Sequence, residues 1–226
     1  GPIWMSPKDM ATILKAAGIG FADLEETTVA EAAASAELLG YPLVAKAIAP
    51  TVVHKSDVGG VILGLETPEA VEHAGKMLRE RMERIGAKLE GVLLQRQVGG
   101  GIEMMLGVTS DPTFGPLLVC GMGGVTVELL KDVSFSLPPV SDLDAHNMIA
   151  RLKSAKLLEG YRGGAKGDIE ALAMTLQRLS CLVELIPEIV ELDLNPLKVL
   201  PPGQGVIAVD GRIRLAPVDS EEPPAT

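Results

Sequence analysis

Lys46 sits inside an otherwise apolar run, Tyr41 to Ala49, that reads as a buried strand. An ammonium there is costly to bury unless it meets an anion. Equally, a lysine near a strand end can lay its stem along apolar surface and reach water. Further on, the loop His54-Lys55-Ser56-Asp57-Val58-Gly59-Gly60 combines an imidazole, an ammonium and two adjacent glycines. A neutral imidazole is a competent nucleophile near neutral pH. Backbone amides at Gly59 and Gly60 can approach phosphate oxygens closely, although the same glycines would also suit a plain surface turn. His73 and His146 lie in predicted helices among charged neighbours and read as solvent-facing, without a role.

A second group is acidic. Glu191, Asp193 and Asn195 alternate with Leu192 and Leu194, and Val209-Asp210-Gly211 follows. On a strand the first three share one face. Hard cations such as magnesium take oxygen ligands, usually one or two carboxylates completed by water and phosphate oxygens. One oxygen from Asn195 and one from Asp210 on a neighbouring strand would suit. The alternation also describes the wet face of a half-buried strand. Asp-Gly between apolar alternating segments is a strong hairpin signal, and locally the hairpin is the favoured reading of Asp210. Gly121-Met122-Gly123-Gly124 follows a strand, but no further glycine completes a dinucleotide fingerprint and Val125-Thr126-Val127 looks like strand. No GxxxxGK[ST] occurs, so an ordinary P-loop is absent as well.

The elements that must position these residues can be read from caps and periods. Ser6-Pro7-Lys8-Asp9 starts a helix that stops at Gly18. Thr28 to Glu31 is a capping box for a second helix ending near Gly40. Val61 to Leu65 reads as a strand, and Thr67-Pro68 opens a helix to about Gly86. Strand-like stretches follow at Val92 to Val98, Ile102 to Thr109 and Leu117 to Cys120. Asp142 to Leu158 is predicted helical. Asp168 caps a longer helix whose apolar positions, Ile169, Leu172, Leu176, Leu179, Val183 and Ile186, suit packing on a sheet. Strands at Ile189 to Asn195, Val206 to Asp210 and Ile213 to Leu215 close the chain. This order lacks the regular alternation of a doubly wound sheet. It predicts an α+β protein of two lobes joined near residue 90: one at about 20–90, the other at about 91–218 with the N-terminal helix. Residues 1–5 read as a tag remnant or linker, and residues 219–226 as a disordered Pro- and Glu-rich tail.

Composition narrows the class. A net charge of −10 argues against nucleic-acid binding, which needs a basic face to displace counterions, but leaves room for a local cationic pocket. No apolar run would span a bilayer, and the N-terminus lacks signal-peptide form. Cys120 and Cys181 lie in apolar runs outside any CxxC, so buried free thiols in a reducing, cytoplasmic setting are expected.

Taken together, YPLVAK around Lys46, then HKSDVGGV, LLQRQV, GIEMMLGV with Asp111-Pro112, FGPLLVCGMGG, LLEGYRGG, ELDLNPL and AVDGRI occur in one order. In that order they resemble the ATP-grasp module of NDP-forming acyl-CoA synthetases, such as the β subunit of ADP-forming acetate–CoA ligase, over about residues 6 to 216. The resemblance implies an ATP-grasp fold with a nucleotide cleft between two α+β lobes, and ATP or ADP with Mg2+ as ligands. It implies that Lys46 contacts phosphates, with Lys55, Gly59 and Gly60 nearby, and that His54 is transiently phosphorylated. Gln95, Arg96, Gln97 and Val98 would form the hinge that reads adenine through its backbone, and Glu103 would face the nucleotide. Asn195 and Asp210 would hold magnesium, with Asp193 near. The implied partner is a CoA-binding, CoA-ligase module, either an α subunit or an N-terminal domain, in a hetero-oligomer or a fused chain. Other readings are a nucleotide-sensing regulatory domain of a larger acyltransferase-type protein and, with little room for its own substrate site, a self-contained carboxylate–amine ligase.

Overall fold

The chain opens with β1 (Ile3–Trp4) and α1 (Pro7–Ala16). The structure, a computed structural model, describes residues 1–52, 57–124 and 132–217. Ala22–Gly99 form one compact unit. It contains β2 (Leu24–Thr27), α2 (Ala32–Leu39), β3 (Leu43–Ile48), β4 (Val61–Leu65), α3 (Pro68–Arg84) and β5 (Gly91–Arg96). The four strands pair antiparallel in the order β2-β5-β3-β4. Leu43, Ala45, Ala47, Val92 and Leu94 point to one face, where they form a core with Ala32 and Ala36 of α2 and Val71, Leu78 and Met82 of α3. Both helices therefore cover the same side of this sheet. Thr28 Oγ1 accepts from the Glu31 amide at 3.2 Å and donates to Glu31 Oε2 at 2.8 Å, closing a turn ahead of α2; the helix itself starts later than predicted, with Glu31 as its N-cap and no side-chain cap.

The second unit joins Gly1–Phe21 to the chain from Gly100 onward. Its further elements are β6 (Ile102–Asp111), β7 (Gly115–Met122), β8 (Val133–Ser136), α4 (Asp142–Ala150), α5 (Ala155–Leu158), α6 (Ile169–Leu185), β9 (Ile189–Val199), β10 (Val206–Ala208) and β11 (Arg212–Leu215). Among the described residues the sheet has seven strands, ordered β1-β11-β9-β6-β7-β8, with β10 also paired to β9. Leu192, Leu194, Leu197 and Val199 of β9 are buried, as are Met104, Leu106 and Val108 of β6. Helix α6 lies against β7, β9 and β10 with Leu172, Leu176, Leu179 and Val183 buried.

Several expectations are corrected. The division between units falls at Gly99, not near residue 90, because Gly91–Arg96 pairs along β3 and completes the first sheet. Ile3 and Trp4 are not a linker: they pair with Leu215 and Arg214, and the guanidiniums of Arg212 and Arg214 lie 5.8 and 5.9 Å from the Trp4 ring centroid. The helix predicted from Asp142 to Leu158 breaks after Ala150, where the amides of Lys153 and Ser154 donate to the Asp132 carboxylate, each at 2.8 Å. Strand β8 was not anticipated. Cys120 is buried but Cys181, on α6, is exposed. The predicted tail lies outside the described residues from 218 onward.

Candidate functional site

Strand β9 carries the acidic side of the site. Its buried leucines put Glu191, Asp193 and Asn195 on the opposite, partly exposed face, as the alternation predicts. The edge beside it is unusual. β10 and β11 follow each other in sequence, and both run antiparallel to β9, with Ala208 opposite Leu197 and Arg212 opposite Asp193. The register is the same on both sides of the gap. Asp210-Gly211 is therefore not a hairpin turn but an in-line interruption of one long edge, and Asp210 falls opposite Asn195. The Val209 amide donates to the Pro196 carbonyl at 3.1 Å within that gap. Directly opposed residues share a face with Cβ atoms roughly 5 Å apart.

Charge along this face is graded. Arg214 Nε donates to Glu191 Oε2 at 2.9 Å, and Arg212 lies 3.9 Å from Asp193. Burial pushes the Asp193 carboxyl above its usual range. Arg212 opposes that shift, while Asp210 and Glu191 add to it. Facing Asp193 on β6 is Gly107, which has no side chain to fill the space.

A bulge re-phases β9 just past Asn195. Leu194 pairs with Leu106 and Leu197 with Met104, so Asn195 and Pro196 together oppose Met105. The shift returns Leu197 and Val199 to the buried side and brings Lys198 to the face of Asn195. Lys198 Nζ meets Glu103 Oε1 at 2.9 Å. Glu103 also receives the Gly123 amide on its carbonyl at 2.8 Å, and the Gly124 amide donates to Asn195 Oδ1 at 3.0 Å. Gly124 has φ +68, and a Cβ there would lie 2.5 Å from Glu103 Oε2. The Gly123-Gly124 turn is thus tied to both Glu103 and Asn195. Lys198 escaped the sequence reading because Pro196 disrupts the alternation on which it depends.

The donor set fits a nucleotide-borne magnesium ion. Two carboxylates and one amide oxygen are too few for a cage, and among the described residues no three His, Cys, Asp or Glu side chains cluster for a metal. Phosphate oxygens and water normally complete such a site.

The cationic residues of the sequence reading lie in the Ala22–Gly99 unit. Lys46 is half-buried on β3, opposite Leu93, on the face away from α2 and α3. Gly59 has φ +66 and its carbonyl accepts from Arg81 Nη1 at 2.7 Å, while the Gly60 carbonyl accepts from the Ala47 amide at 2.8 Å. His54 and Lys55 lie outside the described residues. In the hinge stretch, the Arg96 amide donates to Asp23 and the Gln97 amide to Pro42, so neither is directed at a ligand. Arg96 Nη1 donates to the Tyr41 carbonyl at 3.0 Å, and Gln97 Oε1 accepts from Gly64 at 2.7 Å. Val98 is half-buried just beyond β5. His146 is not simply solvent-facing. Its Nδ1 lies 2.8 Å from the Asp142 carbonyl and its Nε2 3.3 Å from Glu170, linking α4 to α6.

With that geometry in hand, comparison with known proteins is specific. The ATP-grasp domain family model matches residues 2–215. The chain is 38% identical over 207 residues to the β subunit of ADP-forming acetate–CoA ligase II of Pyrococcus furiosus, covering 90% of this chain and 88% of that one. It is 43% identical over 209 residues to the ADP-forming 4-hydroxybutyrate–CoA ligase of Nitrosopumilus maritimus, where it spans 90% of itself but 30% of that longer protein. It superposes with a TM-score of 0.84 and 37% identity on the dinucleotide forming acetyl-coenzyme A synthetase 1 of Ca. Korarchaeum cryptofilum, covering 94% of this chain and 93% of that chain. That structure is a complex with coenzyme A and Mg-AMPPCP, its phosphohistidine segment pointing towards the nucleotide binding site. This chain belongs to the ATP-grasp domain family, in the group formed with ADP-forming acetate–CoA ligase β subunits. No helix among the described residues is long and apolar enough to cross a membrane.

Proposed function

We propose that the chain is the nucleotide-handling module of an NDP-forming acyl-CoA synthetase, an acid–thiol ligase that couples acyl-CoA formation or cleavage to phosphoryl transfer between ADP and ATP. The observation that carries this reading is the placement of Asp210 opposite Asn195, beside Asp193, in a chain of this family. Asn195 and Asp210 would hold Mg2+, with Asp193 adjoining, and the ion would neutralise charge on the nucleotide phosphates. Lys46 would engage the phosphates, assisted by Lys55 and the amides of Gly59 and Gly60.

Phosphoryl transfer depends more on positioning and charge neutralisation than on covalent chemistry by the protein. In the relay, an imidazole nitrogen of His54 attacks the phosphorus carried by a phosphohistidine of the partner. A P–N bond to His54 forms as the partner's P–N bond breaks. A β-phosphate oxygen of ADP then attacks, a P–O bond forms, and His54 leaves as neutral imidazole after taking up a proton. The partner is a CoA-binding, CoA-ligase module, either an α subunit or a domain fused N-terminally, and the setting is cytoplasmic. The relationship to both β subunits and longer single-chain ligases supports either arrangement.

The test is reconstitution with the partner, a panel of acids, CoA and labelled ATP, followed by mapping of acid-labile phosphate. Label on His54, and loss of synthesis in His54→Ala with nucleotide affinity held within a few-fold, are expected. Full turnover by His54→Ala would overturn the relay.

A further inference from the structure

Two arginines of β11 stand on the acidic face, and they are used differently. Arg214 Nε donates to Glu191 Oε2 at 2.9 Å, an ordinary charge-assisted bond. Arg212 stops 3.9 Å from Asp193, too far for a hydrogen bond, and its guanidinium donates to no group among the described residues. Its side chain is 64% exposed. A guanidinium carries five N–H donors in one plane, and an anion whose oxygens match that fork satisfies two at once.

The direction of Arg212 follows from its neighbour. A Cβ on Gly211 would lie 2.9 Å from Leu194 Cδ2 and 3.3 Å from Met10 Sδ, both buried. Asp210 and Arg212 therefore flank Gly211 on the other face, the one that carries Asn195 and Asp193. Arg212 stands opposite Asp193, and a two-residue step along the strand puts about 7 Å between its backbone and that of Asp210. An arginine side chain spans such a distance. Trp4 backs the guanidinium, whose carbon lies 5.8 Å from the ring centroid. Contact with an aromatic face uses the flat of a guanidinium and leaves its N–H edge for an anion. Arg214 is balanced by Glu191. That leaves Arg212 and a metal ion to offset Asp193, Asp210 and any phosphate that arrives.

We infer that Arg212 donates two N–H bonds to non-bridging oxygens of the phosphoryl group passing to and from ADP, at the face where Asn195 and Asp210 would hold magnesium. This rests on the proposed metal and nucleotide site and adds to it a residue that touches the reacting group. Arg212 exchanges no proton. As the P–N bond of the phosphohistidine breaks and the P–O bond to the ADP β-phosphate forms, the guanidinium stays against the equatorial oxygens, where a loose transition state carries its charge.

The experiment is calorimetric titration of the full chain and three variants with Mg-ADP and, separately, Mg-AMPPCP, which carries the third phosphate but cannot transfer it. Arg212→Ala removes the guanidinium, and Arg212→Lys keeps the charge but loses the fork. Arg212→Ala should bind Mg-AMPPCP about 10- to 100-fold more weakly, the scale of a charge-assisted contact, and Mg-ADP within a few-fold of the parent. Arg212→Lys should fall between the two for Mg-AMPPCP. Thermal melting of both should stay close to the parent, because an exposed side chain without a hydrogen bond has been changed. Parental affinity of Arg212→Ala for Mg-AMPPCP, or equal weakening towards both nucleotides, would overturn the inference while leaving the site intact. Asp210→Ala tests the underlying site: parental binding of both nucleotides at limiting magnesium would instead sink the reading on which the inference rests.

Discussion

Asp210 stands opposite Asn195 because β10 and β11 continue one register along β9 across a three-residue gap, Val209 to Gly211. The Asp210 carboxylate and the Asn195 amide are thereby delivered to one face by two neighbouring strands, with Asn195 further held by the Gly124 amide. Replacing Asp210 with Ala should raise the magnesium concentration needed for half-maximal nucleotide binding by about tenfold or more, the scale of one lost charge-assisted contact. Since Asp210 is exposed, melting without nucleotide should change little. A magnesium titration of nucleotide affinity checks this, and an unchanged midpoint would remove Asp210 from the metal site.

Two aspartates should give opposite pH signatures. Asp193 has its carboxyl raised by burial, so its environment favours the neutral acid. Its contribution to stability is complete below the ordinary aspartate range and is lost as pH rises through its higher folded value. Asp193→Asn should therefore melt higher than the parent at neutral pH, with the gap closing in acid, even as it weakens magnesium-dependent binding. For Asp168, burial alone would raise the carboxyl, but the amides of Gly205, Ala171 and Gly203 together hold it below its usual range. Its contribution is present above the ordinary aspartate range and fades as pH falls through the lower folded value. Asp168→Ala should cost about 2–3 kcal/mol near neutrality, from one helix cap and two further orphaned amides, with the difference shrinking in strong acid. Denaturant melts across pH measure both.

The Gly123-Gly124 turn should not tolerate side chains. A Cβ on Gly123 would meet the backbone of Met104, and one on Gly124 would meet the Glu103 carboxylate. Gly123→Ala should destabilise by roughly 1–3 kcal/mol, because the obstacle is backbone and cannot rotate away. Gly124→Ala should instead disturb the Glu103–Lys198 pair and lower nucleotide affinity. Paired melting and titration data distinguish the two effects.

Thiol chemistry should be confined to one site. Burial, with Asp132 nearby, pushes the Cys120 thiol up to about 12, whereas Cys181 is exposed. The native chain should take up one equivalent of an alkylating reagent, two in denaturant, and none natively after Cys181→Ser, as read by intact mass.

The sequence by itself determined the local pieces. Ser6, Thr67, Ser141 and Asp168 each bear an acceptor that caps the next helix, and the period of two through Glu191, Asp193 and Asn195 already placed three polar groups on one strand face. These are decided within a few residues of chain, where short-range hydrogen bonds and side-chain alternation suffice. Asp-Gly locally looked like a hairpin, and only pairing with β9, some fifteen residues earlier in the chain, made it a straight continuation of an edge. Lys198 reached the polar face only through a bulge against β6, and the N-terminal Ile3-Trp4 became a strand only because β11 had an open edge to offer. Strand register is set by partners distant in sequence, so which side chains meet across the sheet was for the tertiary structure to decide.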